Sequence, residues 1–149
     1  MIKSIDALAH IGITVSDLEK SVKFYCENFG MTFMRGRTFD EQFFDAAKTL
    51  YKLENTTCKI AVLDIPGGGQ LELFEFSNQL TPEYVPWNRV GITHIAVITE
   101  SFEEIDKQMR TNGVEYCMDV GVRPDGGHWV FVSDPDGNMI EVMEPFKQN

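Results

Sequence analysis

The chain has 149 residues, enough for one domain or two small halves to bury a core without covalent staples. Its formal net charge is -10 and its thirteen Lys and Arg are scattered, which excludes the basic footprint that nucleic-acid binding requires. Three widely spaced cysteines fit reduced thiols rather than a disulfide framework. The opening MIKSIDALAHIGITV has no apolar run behind a basic start, and no stretch approaches a membrane span. A cytoplasmic protein with no membrane partner is expected.

In chain order, the first half starts with a strand, His10-Ile-Gly-Ile-Thr-Val. Ser16-Asp-Leu-Glu19 follows, readable as a capping box, and then a helical stripe at Leu18, Val22, Tyr25 and Phe29 that stops at Gly30. Strands are predicted over Thr32 to Thr38 and Lys59 to Asp64. Between them Phe39 to Asn55 is a long insertion, expected to be a lid or dimer-contact segment with a short helix; Phe43 and Phe44 are read as exposed. The half closes on Pro66-Gly-Gly-Gly-Gln-Leu-Glu72-Leu-Phe-Glu75, a turn followed by a strand.

The second half repeats the plan, and such internal similarity governs how the whole chain is read. His94-Ile-Ala-Val-Ile-Thr leads into a second capping box, Ser101-Phe-Glu-Glu104, then a stripe at Phe102, Ile105 and Met109 that stops at Gly113. Strands are predicted over Glu115 to Val120 and Trp129 to Ser133. The last, Pro135-Asp-Gly-Asn-Met-Ile-Glu141-Val-Met-Glu144, aligns without a gap over ten positions with the close of the first half. The order is β-α-β-β-β, twice. One domain over 1–149 is expected, with module one at about 5–77, a linker at about 78–89 and module two at about 90–146. Trp87 is read as a packing anchor for the linker.

Strand parity selects the chemistry. Leu71 and Leu73 point to the helix layer, which leaves Glu72 on the other face with Phe74 and Phe76; Ile140 and Val142 leave Glu141 there in the same way. His10 and His94 oppose the helix-facing Ile11 and Ile95. Taken singly, a strand histidine is ordinarily hydrogen-bonded or exposed and a strand glutamate is ordinarily solvated. The repetition is what joins them. Two carboxylates beside apolar side chains need a counter-charge, and a divalent cation provides one while leaving the imidazoles neutral. His10, Glu72, His94 and Glu141 are therefore the predicted metal ligands, a nitrogen and oxygen set suited to Zn, Ni, Co, Mn or Fe with positions left for water or substrate. Phe74, Phe76 and Trp129 are candidates for an apolar substrate wall, and Arg35, Arg37, Arg123 or His128 for meeting a substrate carboxylate.

These modules, with the run from His10 to Tyr25 and Asp134-Pro-Asp-Gly-Asn-Met-Ile-Glu141, resemble the vicinal oxygen chelate superfamily over nearly the full chain. That superfamily includes glyoxalase I, methylmalonyl-CoA epimerase, extradiol dioxygenases, fosfomycin-resistance enzymes and metal-free bleomycin-binding proteins. The resemblance implies an α+β fold of two tandem modules whose curved mixed sheets form a concave metal-binding cavity. It also places the ligands on the first and last strand of each module, the positions of the same four residues. The full quartet is most like glyoxalase I and the epimerases, whereas Phe39 to Asn55 carries no obvious glutathione-contacting pattern. The activity implied is a metal-dependent lyase, isomerase or epimerase working through a stabilised enediolate, with Glu141 or Glu72 moving the proton. An extradiol-type iron dioxygenase and a non-catalytic small-molecule binding protein are the alternatives. A homodimer is implied as well.

Overall fold

A computed structural model describes residues 5, 7–80 and 86–147. Part of the linker expected at 78–89 lies outside them. The chain divides into two compact units, Met1–Thr81 and Pro82–Asn149. Each is an α+β module with one mixed sheet, as the duplicated pattern predicts. No helix among the described residues is long and apolar enough to cross a membrane.

The first unit runs β1 (His10–Thr14), α1 (Leu18–Phe29), β2 (Thr32–Phe39), α2 (Glu41–Ala46), α3 (Lys48–Tyr51), β3 (Cys58–Asp64) and β4 (Gln70–Phe76). Its sheet order is β1-β4-β3-β2, with β1 parallel to β4 and the other pairs antiparallel. Ile11 pairs with Leu71 and Ile13 with Leu73, so the apolar residues of both strands share one face. Leu63, Leu71 and Leu73 are fully buried, as are Val15 and Tyr25. The helix docks by a line different from the predicted stripe: its buried residues are Ser21, Tyr25 and Asn28, while Leu18, Val22 and Phe29 flank them half-buried. Its N-cap is Asp17 rather than Ser16, with the Asp17 carboxylate accepting from the Lys20 amide at 3.0 Å. Glu75 reaches the same terminus from β4 and accepts from the Leu18 amide at 2.7 Å. Lys59 beside it, and then that amide, hold the Glu75 carboxyl below the usual range. Gly30 ends the helix at φ 64°, the left-handed cap expected of it.

The insertion is where expectation and structure part. Phe44 is buried, not exposed, at the centre of a cluster with Cys58, Ile60 and Val62 on the sheet face opposite α1. Phe39, Phe43, Tyr51, Phe74 and Phe76 pack around it. Asp40 caps α2 by accepting from the Phe43 amide at 2.9 Å, which turns the helix back over the sheet. The segment forms a second covering layer on the sheet. Burial there pushes the Cys58 thiol up to about 11.

The second unit runs β5 (Ile95–Ile98), α4 (Phe102–Thr111), β6 (Glu115–Tyr116), β7 (Gly121–Val122), β8 (His128–Ser133) and β9 (Met139–Met143). The order is β5-β9-β8-β6, with β7 also paired to β8. Of the strand predicted over Glu115 to Val120 only Glu115–Tyr116 forms one, with the Cys117 amide still donating to the Phe131 carbonyl; β7 lies just beyond the predicted end. Its buried residues include Phe102 and Met109 of α4 and Val130, Val132, Ile140 and Val142 of the sheet. Ser101 occupies the N-cap position of α4 but makes no side-chain cap; the Thr99 hydroxyl accepts from its amide instead, at 3.1 Å. The second predicted capping box does not form, and at α1 the N-cap position falls to Asp17.

Candidate metal and substrate site

In the first unit, β1 and β4 lie side by side in parallel, with Gly12 opposite Glu72 and His10 opposite Gln70. His10 and Glu72 consequently share the face away from α1, and His10 Nε2 stands 3.7 Å from Glu72 Oε2. In the second unit the same parallel pairing sets Ala96 opposite Glu141. His94, one residue before β5, turns toward that carboxylate, with Nε2 3.2 Å from Glu141 Oε2. Each module therefore brings together one imidazole and one carboxylate by the same strand geometry. Among the described residues no three His, Cys, Asp or Glu side chains gather into a group able to hold a metal ion.

The donor chemistry of the pairs fits a divalent cation. Two donors about 2.1 Å from a common ion, at angles near 90–110°, stand about 3.0–3.5 Å apart. The His94–Glu141 separation falls inside that span and the His10–Glu72 separation just beyond it. His94 Nδ1 shares a hydrogen bond of 2.9 Å with the Thr93 hydroxyl. When Nδ1 carries the proton and donates, Nε2 presents its lone pair toward Glu141, the usual way a neighbouring group selects a ligating tautomer.

Around Glu72 the first unit encloses a cavity of about 310 Å³. Phe74 lines it, as expected of a substrate wall, and so do Arg35 and Arg37 from β2. The insertion adds Phe39, Phe43 and Tyr51, none of which the sequence reading named for the substrate site. The two-residue period of β2, which puts Arg35, Arg37 and Phe39 on one face, was the available signal. Gly12 lies beneath Phe74, where a Cβ would stand 3.1 Å from the ring. Phe76 faces the same way but packs against Phe44 in the aromatic cluster, with ring centroids 5.8 Å apart.

In the second unit, Trp129 shares the Glu141 face, edge-on to Phe131 at 5.8 Å. Phe131 pairs directly with Glu141 and stands edge-on to the His94 ring at 5.1 Å. It was missed, although it alternates with Trp129. Trp87 leans on the His94 ring at 5.4 Å, so its packing role is with the site histidine. The other candidates are engaged elsewhere. His128 lies on the opposite face, stacked on Phe102, with its backbone N–H and Nδ1 both at Glu144 Oε2, 2.6 and 2.9 Å away. Those contacts hold the Glu144 carboxyl below its usual range. Arg123 binds Asp125 and donates to the carbonyls of Glu144 and Pro145, fastening the C-terminal strand.

Two mixed-sheet βαβββ-like modules constitute the glyoxalase fold. The glyoxalase family protein of Bacillus cereus superposes with a TM-score of 0.80 at 17% identity, covering 97% of each chain. The chain belongs to the Glyoxalase/Bleomycin resistance protein/Dioxygenase superfamily, whose model matches residues 7–142. Among curated relatives, the probable lactoylglutathione lyase of Synechocystis is 28% identical over 138 residues, 92% of this chain and 94% of that one. Members of the superfamily often hold a divalent metal. One, a fosfomycin resistance protein from Listeria monocytogenes solved with Mn(II) and sulfate, shares the fold with a TM-score of 0.65 at 22% identity, covering 95% of this chain and 94% of that one.

Proposed function

We propose that this protein is a divalent-metal-dependent lyase, isomerase or epimerase of the glyoxalase type, acting on a small substrate with neighbouring oxygen atoms. The repeated pair, His10 with Glu72 and His94 with Glu141, is the observation that carries this reading. In each pair the imidazole would supply a neutral Nε2 donor and the carboxylate an anionic oxygen to a divalent cation. When bound, the cation supplies Lewis acidity toward a substrate carbonyl, which makes the adjacent C–H bond more acidic.

The chain's own groups do the rest. Glu141 is assigned as the proton carrier, with Glu72 as its pseudo-symmetric counterpart. Its carboxylate takes the proton as the C–H bond breaks and either returns it to the neighbouring carbonyl carbon while the hydroxyl proton passes between the two oxygens, or keeps it while a second acid protonates the other face of the same carbon. The first outcome is isomerisation and the second epimerisation. Phe131 stands beside Glu141, and Phe74 beside Glu72, as apolar neighbours of the two carboxylates. A homodimer is part of the proposal.

Elemental analysis and native mass determination on wild type and on a His10→Ala, Glu141→Ala double variant test it. One tightly held divalent ion per chain, lost in the variant, is expected. Protein that stays metal-free after reconstitution refutes the enzyme reading and leaves a small-molecule binding protein. Oxygen consumption by the iron-loaded protein with catechols would replace it with a dioxygenase.

A further inference from the structure

The cavity beside Glu72 belongs wholly to the first unit, and its lining defines a substrate more narrowly than the metal chemistry does. At about 310 Å³ it sits at the small end of ligand pockets, which run from about 300 to 1,000 Å³. One wall is aromatic: Phe74 from β4, with Phe43 and Tyr51 supplied by the insertion. Arg35 and Arg37 of β2 line it from the same sheet face as Phe74, in the rows of Glu72 and Phe74 across β3. Arg37 is held with its guanidinium 3.9 Å above the Phe39 ring. Among the described residues neither arginine makes an ion pair or a hydrogen bond to a carboxylate, although the chain carries a net charge of -10. Two guanidiniums without a carboxylate partner among the described residues favour an anionic ligand, and a guanidinium fork matches a carboxylate.

We infer that this cavity, resting on the reading above, admits a small aryl or arylalkyl monocarboxylate: carboxylate on Arg35 and Arg37, ring against Phe43, Tyr51 and Phe74, and the oxygen-bearing carbons toward Glu72. A glutathione adduct is disfavoured there by the many peptide hydrogen-bonding groups that these aromatic walls would leave unpaired. The insertion, which the second module lacks, is thus the specificity element.

The test is a titration by calorimetry and by NMR of metal-stripped protein with phenylacetate, 3-phenylpropanoate, the neutral phenylacetamide and S-hexylglutathione, alongside metal content of the same preparations after reloading. Both acids are expected to bind, and phenylacetamide at least about tenfold more weakly, the effect of one charged hydrogen bond. Arg35→Gln should remove that preference while the reloaded metal stays unchanged, and Phe43→Ala should weaken acid and amide alike. Equal binding of acid and amide, an Arg35→Gln variant that keeps the preference, or tight binding of S-hexylglutathione would each overturn the inference. In those cases a bound metal would still uphold the enzyme reading; loss of the metal with the acid preference intact would do the reverse.

Discussion

Replacing Phe44 by alanine tests whether the insertion is a structural layer of the first module. The side chain is 1% exposed, in a cluster with Cys58, Ile60 and Val62. Its ring meets Tyr51 at 5.2 Å, Phe43 at 5.3 Å and Phe76 at 5.8 Å. Truncating a buried phenylalanine costs about 3–5 kcal/mol, and the aromatic pairs, at about 0.5–1.5 kcal/mol each, place this site toward the upper end. For a chain of this size that corresponds to a fall in Tm of roughly 6–20 °C. Urea titration followed by circular dichroism reads the difference directly. Phe43, half-buried at the cavity wall, is the internal control, and Phe43→Ala should cost about 1–2 kcal/mol. A Phe44→Ala variant destabilised by less than about 1 kcal/mol would show that the segment does not pack on the sheet, and the aromatic wall of the cavity would fall with it.

Three further outcomes follow from the packing. Because Lys59 and the Leu18 amide depress the pKa of Glu75, its contribution is present above the normal carboxylate value and lost as pH falls through the depressed one. Thermal stability of wild type should thus drop more steeply than that of Glu75→Gln between roughly pH 5 and 3, and parallel curves would remove Glu75 from the acid response. A methyl group added in Gly12→Ala would stand 3.1 Å from the Phe74 ring, so a loss of about 1–3 kcal/mol is expected by urea titration. An unchanged midpoint would mean that the ring swings aside freely. Of the three thiols, exposed Cys117 should react first with a disulfide reagent and Cys58, buried with its pKa at about 11, only on unfolding. Rapid modification of Cys58 in native protein would contradict the closed cluster around it.

The sequence by itself determined whatever depends on short-range periodicity. Alternation along β4 and β9 put Glu72 and Glu141 opposite the helix-facing residues, and the duplication identified His10 and His94 as their counterparts, because side-chain direction in a strand reverses with every residue. The left-handed glycine at the end of α1 was legible for the same local reason. Contacts between distant segments were not. Ser16 and Asp17 are both good caps, and only the approach of Glu75 across the sheet showed how the start of α1 is arranged. His128 was an open candidate until β8 placed it against Phe102 and Glu144. Phe43 and Phe44 are adjacent and chemically identical, yet one lines a cavity and the other fills a core. That choice belongs to the tertiary structure, since it depends on which apolar face of the sheet lies beneath α2, and no local period encodes it.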